Sequence, residues 1–231
     1  MRPGLVSPTI PCYGCTMSAP LKDHPYLTYY LQDILFWYRN GSAGGSRVIN
    51  SHMKNVRIAL KEALASRPAV ACVEAQTKPV CFHLERALDN GLHGPASGTT
   101  RMLSRITSSL SWGYGYERMP RNLEQKYAYS ELMGPRGLVQ FDRLILGVVL
   151  LAPGTTYPAH SHAGITESYL CLSGTLSQND AGVYAPGSMI YNPPEHSHRI
   201  TTDRKEPCLL SYAWTGSEEA LANQNMTFKR C

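Results

Sequence analysis

The chain has 231 residues, of which 43% are hydrophobic and 17% are charged, and its formal net charge is +5. This composition indicates a compact globular protein with a sizeable core and excludes a disordered chain. The Lys and Arg residues are scattered and form no basic stripe, so we expect no nucleic-acid partner. Because neither an apolar leader nor an apolar run long enough to span a bilayer is found, we expect a cytoplasmic protein with no membrane partner.

The seven cysteines, an odd number, are spread along the chain. They do not form the dense, even framework of a small secreted protein, so we expect reduced thiols. Cys12 and Cys15 have the spacing of a metal knuckle or a redox pair. No second pair follows and no βαβ pattern surrounds them, so we assign the motif no role.

The first half of the chain shows helical periodicity. From Pro25 to Tyr38, apolar and aromatic residues recur at three- and four-residue intervals, and a Gly-rich break follows at 40–46. Further helices are predicted at about 51–66, 79–89 and 123–132. The second of these ends at Asn90-Gly91, which is a helix stop signal. The sequence therefore predicts an α-helical N-terminal region, which we assign to residues 1–111.

The pattern changes after Pro135. Short β-branched and aromatic runs are separated by Pro, Gly, Asn and Asp. The predicted strands are 141–151, 168–173, 182–184, 188–191, 198–201 and 208–214. Short strands at this spacing are typical of a mainly β sandwich or barrel, which we assign to residues 112–231.

Four polar residues in the β-rich half have the spacing of a metal site. His160 and His162 are two residues apart, so on one strand they point to the same face. Glu167 follows a short loop, and His198 comes from a distant strand. Imidazole and carboxylate ligands suit one divalent transition-metal ion, namely zinc, iron, manganese or nickel. The alternative is ordinary polar residues at strand ends, and convergence requires the two runs to pair across residues 163–166.

The same segment resembles the cupin superfamily. The first cupin motif is matched position for position by Gly154, His160, His162, Glu167 and Gly174. The second is matched by Gly187, Pro193 and His198, although Glu195 stands where the family usually has Gly. The resemblance implies a cupin double-stranded β-helix, or jelly roll, in which the three His and the Glu named above hold the metal.

The residues around these motifs resemble the bacterial dimethylsulfoniopropionate (DMSP) lyases DddL and DddQ. The resemblance depends on four aromatic residues, which are Tyr157, Tyr169, Tyr212 and Trp214. A helical half before a C-terminal cupin domain is more similar to DddL, and the likeness extends loosely over 112–222. It implies a carbon–sulfur lyase that splits the zwitterion DMSP into dimethyl sulfide and acrylate by β-elimination.

That reaction gives each residue an expected role. The metal would bind the substrate carboxylate and stabilise the charge that grows as the α-proton leaves. Tyr169 is the expected base, since a nearby cation favours its phenolate, and Tyr157 is the reserve base or a hydrogen-bond donor. Trp214 and Tyr212 would contact the substrate, the indole by cation–π attraction to the sulfonium. His196 would support the ligands, act as an alternate ligand or contact substrate. Strand aromatics can instead simply fill the core.

Other hypotheses remain open from the sequence. The ligand set also suits a cupin dioxygenase or isomerase acting on a small organic acid. A non-catalytic, ligand-binding cupin is the third candidate, although it leaves the tyrosines without a purpose. The sequence leaves the oligomeric state open: a homodimer is one candidate, because cupin sheets often pair, and the aromatic Tyr26–Tyr38 helix is either an interface or packing for the barrel. Four further tyrosines could reach the site from the helical half, but we assign them no role: Tyr114, Tyr116, Tyr127 and Tyr129.

Overall fold

The computed structural model describes residues 18–116, 119–224 and 227–228. The Cys12 and Cys15 motif lies outside these ranges. Within them, the α-helices are α1 (Pro25–Asn40), α2 (Arg47–Ala65), α3 (Leu84–Leu92), α4 (Ser97–Ser104), α5 (Arg121–Glu124) and α6 (Glu218–Ala222). Short 3-10 helices lie at Leu21–Asp23, Pro79–His83 and Thr107–Ser109. The first two predicted helices correspond to α1 and α2, and the third covers a 3-10 turn followed by α3.

The strands are β1 (Ala19–Pro20), β2 (Ala69–Val70), β3 (Tyr127–Gly134), β4 (Val139–Gln140), β5 (Ile145–Leu151), β6 (Thr156–Ser161), β7 (Ile165–Ser173), β8 (Leu176–Gln178), β9 (Val183–Tyr184), β10 (Met189–Asn192), β11 (His198–Thr202), β12 (Cys208–Gly216) and β13 (Thr227–Phe228). They form a larger sheet, β1-β2-β4-β3-β5-β12-β7-β10, and a smaller sheet, β13-β6-β11-β8-β9. Buried residues from both sheets form one cluster, as expected for the predicted jelly roll.

Residues along β7 and β12 alternate between two hydrophobic clusters. Tyr169 and Tyr212 belong to the cluster inside the barrel, whereas Leu170 and Ala213 belong to a cluster shared with the helices. On the helical side this second cluster includes Tyr30, Leu31, Ile34 and Leu60. Burying a Leu or Ile side chain contributes roughly 1.5–3 kcal/mol. The helices therefore cover the outer face of the larger sheet.

The helix predicted at 123–132 is wrong. Helix α5 ends at Glu124, and β3 begins at Tyr127 and pairs with β5. Both faces of β3 are covered: Tyr127 packs inside the barrel, while Ala128 and Leu132 pack against the helices. A strand buried on both faces lacks the polar–apolar alternation that marks a strand in a sequence.

The predicted pairing of the two strands that carry His160 and Glu167 is also wrong. Strand β6 pairs with β11 and β13 in the smaller sheet, whereas β7 pairs with β12 and β10 in the larger. The connection crosses the barrel and turns at Gly164, whose φ of +68° favours glycine. The two strands thus face each other across the interior, which still brings their side chains together.

Several other expectations can be compared with the structure. Cys72 is disulfide-bonded, so the expectation of reduced thiols is wrong there, whereas Cys81, Cys171 and Cys208 are free. None of the described helices is long and apolar enough to span a bilayer. Strands β1 and β2 join the larger sheet, and the division near residue 111 stays a prediction. The homodimer also stays a prediction. Helix α1 packs Tyr30 inside the protein and exposes Phe36 at its surface, which fits both of the roles considered for this helix.

Candidate metal centre

The four candidate ligands meet inside the barrel. His160 and His198 are opposite each other on β6 and β11, His162 follows β6 directly, and Glu167 lies on β7. Each side chain offers one ligand atom, and these atoms all lie within 4.8 Å of one another. All four residues are buried. The fold therefore brings together the ligand set expected from the sequence.

Backbone carbonyls decide which ring nitrogen faces the cluster. His160 Nδ1 lies 2.9 Å from the carbonyl oxygen of Pro158, and His198 Nδ1 lies 3.0 Å from that of His196. Because a carbonyl only accepts, each Nδ1 carries a hydrogen, and in the neutral ring Nε2 keeps its lone pair. A metal-binding histidine is oriented by its second nitrogen in this way.

Two buried nitrogens in the cluster have no hydrogen-bond partner among the described residues, namely Nε2 of His162 and Nε2 of His198. They lie 3.6 and 2.9 Å from the two oxygens of Glu167, but neither contact has hydrogen-bond geometry. Leaving buried polar atoms unpaired is costly. A divalent cation would supply the missing interaction, so the donor set fits a metal ion.

Glu167 is held from both sides by residues at its own register position. Trp214 on β12 and Asn192 on β10 are its cross-strand partners. The Trp214 indole donates to Oε1 at 2.7 Å, and Asn192 Nδ2 donates to Oε2 at 3.0 Å. Asn192 accepts in turn from Gln178 Nε2 at 2.8 Å. These bonds fix the carboxylate, as supporting residues do around metal ligands.

Burial and mutual charge set the protonation of the cluster. Burial, followed by repulsion from His198, lowers the pKa of His160 to about 3, and burial also lowers the pKa of His162. Burial disfavours the Glu167 carboxylate, but attraction to His162 and His198 outweighs it and lowers the pKa. For His198, attraction to Glu167 outweighs burial and raises the pKa. Neutral His160 and His162 and an ionised Glu167 are the forms that bind a metal, and binding releases any proton on His198.

Both candidate catalytic tyrosines line the cavity that the ligands share. Tyr169 lies two residues after Glu167, and its ring centroid is 6.3 Å from that of His198. The Tyr157 ring lies 4.6 Å from His160, and its hydroxyl is 2.6 Å from that of Tyr116. Burial is the main reason that the pKa of each phenol lies well above its usual value. A base role for either phenol therefore requires a nearby positive charge.

The three residues expected to contact substrate are placed differently from one another. Tyr212 and Trp214 line the cavity, and the Trp214 ring lies 4.6 Å from His162. His196 is exposed, and its ring does not line the cavity. Only its carbonyl reaches the site, where it accepts from His198. This contact uses a backbone group and does not depend on the imidazole, so the role expected for the His196 side chain stays a prediction.

Three residues of the site had no role assigned from the sequence, namely Tyr127, Tyr129 and Asn192. Tyr127 and Tyr129 line the cavity from β3, and their spacing of two would have indicated a shared face had this segment been predicted as a strand. Asn192 contacts Glu167 from β10, and no signal in the sequence marks it. Its role depends on strand register, which a single sequence does not show.

Comparison with known proteins identifies the family. The family model described as dimethylsulfoniopropionate lyase matches residues 52–210, which include all four candidate ligands. The chain belongs to the DMSP lyase family. It is 52% identical over 206 residues to DddL of Cereibacter sphaeroides, a proposed DMSP lyase, with 89% of each chain covered. The resemblance to the DMSP lyases DddL and DddQ is thereby confirmed.

Solved structures of DMSP lyases share the fold. A chain from the crystal structures of RdDddP and RnDddQII matches with a TM-score of 0.65 and 21% identity, covering 90% of this chain and 99% of that one. DddQ of Ruegeria pomeroyi DSS-3 matches with a TM-score of 0.63 and 19% identity, covering 83% and 92%. The likeness confirms the predicted cupin fold with N-terminal helices for this member of the DMSP lyase family.

Proposed function

We propose that this chain is a metal-dependent lyase that cleaves DMSP to dimethyl sulfide and acrylate. One divalent transition-metal ion, namely zinc, iron, manganese or nickel, would be held by His160, His162, Glu167 and His198. When bound, such an ion supplies a Lewis acid for the substrate carboxylate, where negative charge grows as the α-proton leaves. The observation that carries the proposal is the convergence of these four ligands beside Tyr169 in a member of the DMSP lyase family.

Tyr169 is the proposed base. Its phenolate removes the α-proton, the released electron pair forms the carbon–carbon double bond of acrylate, and the carbon–sulfur bond breaks with its electrons going to sulfur. The sulfonium thus leaves as neutral dimethyl sulfide, and no oxidant is required. Tyr169 lies on the same face of β7 as Glu167 and lines the metal cavity. This position supports its role as the base, because a base must lie within reach of the substrate.

The other aromatic residues have supporting roles in this proposal. Tyr157, whose hydroxyl contacts that of Tyr116, is the reserve base or a hydrogen-bond donor to the substrate. Tyr212 and Trp214 present rings to the cavity, and an indole or phenol ring attracts a sulfonium by cation–π interaction, worth about 0.5–2 kcal/mol. His196 supports His198 through its carbonyl.

Release of dimethyl sulfide from DMSP tests the proposal. The metal-loaded protein is incubated with DMSP, and dimethyl sulfide in the headspace and acrylate in solution are measured. We expect Tyr169→Phe and His162→Ala to abolish release. Tyr184→Phe is the control and should retain release, because Tyr184 does not line the metal cavity. Release by Tyr169→Phe at the wild-type rate would exclude the proposed base.

Oxygen separates the lyase from a cupin dioxygenase. β-Elimination exchanges no electrons with a co-substrate, so the turnover rate in an anaerobic chamber should equal the rate in air. Release of dimethyl sulfide by the His162→Ala protein after chelation would show that the reaction needs no metal. Metal analysis of the purified protein, followed by reconstitution of the stripped protein with each of the four candidate ions, identifies the ion that supports turnover.

A further inference from the structure

The metal cavity is nearly closed. Of the twelve described residues that line it, ten are buried, and Tyr129 and Val149 are partly exposed. Its open volume is 20 Å³, which is room for about one or two water molecules. A substrate therefore has to displace side chains on its way in, and the partly exposed side lies at Tyr129 and Val149.

Tyr129 also lines a second, outer cavity of 200 Å³. The ring of Tyr129 is therefore a wall that the two cavities share. The backbone of Tyr129 is held by two hydrogen bonds with Gly113, at 2.8 and 3.1 Å. Because these bonds fix the strand, a substrate passes between the cavities by turning the Tyr129 side chain rather than by moving β3.

Two opposite charges line the outer cavity. Glu131 is partly buried and accepts hydrogen bonds from the Arg136 backbone at 2.8 Å and from Gln224 at 3.1 Å. Arg136 is exposed, and its guanidinium donates a long bond of 3.4 Å to the carbonyl of Ala222. A carboxylate binds a guanidinium more strongly than a carbonyl does, because the hydrogen bond is then between two charged groups.

We propose that the outer cavity selects zwitterions: Arg136 receives the substrate carboxylate, while Glu131 and the Tyr129 ring face the sulfonium. The inference rests on the proposed function, because it takes DMSP as the substrate. A zwitterion finds an opposite charge for each of its poles, whereas a simple carboxylate is attracted by Arg136 and repelled by Glu131. Arg136 and Glu131 are then specificity-determining residues outside the metal cavity.

The same charges favour release of the product. Acrylate has a carboxylate and no cation, so Glu131 opposes its binding in the outer cavity. Dimethyl sulfide is neutral and finds no charged partner there. The outer cavity thus binds the substrate better than either product, which limits product inhibition.

Kinetics of Arg136→Gln test the attraction. We expect the KM for DMSP to rise about tenfold with kcat within about twofold of wild type, since one charge-assisted contact is lost away from the reacting atoms. Arg143→Gln is the matched control: Arg143 is also exposed, forms a 2.7 Å ion pair with Glu62 and does not line the outer cavity. Equal KM values for the two variants would overturn the inference.

Glu131→Gln tests the repulsion. Glutamine still accepts from the Arg136 backbone but has no charge, so we expect a higher KM for DMSP and inhibition by acrylate at concentrations at least about threefold lower. Unchanged or weaker acrylate inhibition would contradict the role of Glu131.

Calorimetric binding keeps this test separate from the test of the lyase activity. If wild-type protein releases no dimethyl sulfide, the proposed function fails. The affinities of wild-type and Arg136→Gln protein for DMSP then still decide the inference, because binding requires no turnover. Weaker binding by the variant supports the selection site, and equal affinities exclude it.

Discussion

The Trp214 indole and the Glu167 carboxylate lie side by side on neighbouring strands, joined by a 2.7 Å hydrogen bond from Nε1 to Oε1. An indole N–H only donates, so the Trp214 nitrogen cannot itself coordinate a metal ion and instead orients the carboxylate that can. Its ring still lines the cavity, which leaves its face for the proposed sulfonium contact. One side chain can therefore support a metal ligand with its edge and the substrate with its face.

Trp214→Phe should weaken metal binding. The ring is largely kept, but the N–H that fixes Glu167 is lost, and removing such a support lowers metal affinity by about ten- to a hundredfold. The affinity is measured by competition with a chromogenic chelator. Trp37→Phe is the control, because it removes an equivalent indole bond, 3.0 Å long, to Thr99. Equal metal affinities of the two variants would rule out the supporting role.

Asn192→Leu should destabilise the metal-free protein. Leucine has a similar size but pairs with neither Glu167 Oε2 nor Gln178 Nε2, so two buried polar groups lose their partner. Such a loss costs about 1–3 kcal/mol of unfolding free energy, which urea titration measures. Asn55→Leu, at an exposed position of α2, is the control. If Asn192→Leu is as stable as this control, the hydrogen bonds that join Glu167, Asn192 and Gln178 contribute nothing to the unfolding free energy.

The metal ligands could be read from the sequence because three of them lie within eight residues at a fixed spacing. That spacing also carries the resemblance to the cupin superfamily, and with it the predicted fold, whereas the resemblance to DMSP lyases depends on the aromatic residues around the motifs. The partners of Glu167 could not be read, because Trp214 and Asn192 reach it only through the register of β12 and β10. The indole could be assigned to the site, but its hydrogen bond to Glu167 could not.

The failure at β3 has a related cause. Tyr127 faces the barrel while Ala128 faces the helices, so apolar residues occur on both faces of the strand. The resulting run has no period of two, so its sequence predicts a helix rather than a strand. With a helix predicted there, Tyr129 is only a tyrosine that could reach the site from the helical half, and no strand face places it beside the metal ligands.

Gly147→Ala should displace Tyr212 from the metal cavity. A Cβ at this position of β5 would lie 2.5 Å from the Tyr212 ring and would also contact the Ser130 carbonyl. We expect the unfolding free energy to fall by about 1–3 kcal/mol, as for other overpacked sites, and the KM for DMSP to rise. Gly182→Ala is the control, since a Cβ there has nothing within 4 Å. If the unfolding free energy and the KM for DMSP are both unchanged, the close contact between residue 147 and the Tyr212 ring does not hold Tyr212 in the metal cavity.

A buried polar network lies behind Glu167, between the helices and the larger sheet. His52 on α2 is hydrogen-bonded to Ser168 at 2.7 Å and to Thr215 at 3.0 Å, and Tyr38 lies 2.6 Å from the Ser168 hydroxyl. Burial lowers the pKa of His52 to about 4, which attraction to Glu167 only partly offsets. In the unfolded chain the pKa of a histidine is about 6.5.

His52 should therefore make the protein less stable in acid. Between pH 6.5 and 4 the unfolded state binds a proton that the folded state does not, so the contribution of His52 to stability is complete above pH 6.5 and decreases as the pH falls. From pH 7 to pH 5 this contribution falls by about 2 kcal/mol. His52→Gln keeps a hydrogen-bonding side chain that does not titrate in this range. From pH 7 to pH 5 its unfolding free energy should therefore fall by about 2 kcal/mol less than that of wild type. Urea titrations at the two pH values measure the difference, with His93→Gln, at an exposed position of the chain, as the control. If His52→Gln and wild type lose equal stability between pH 7 and pH 5, protonation of His52 is not a cause of the loss of stability in acid.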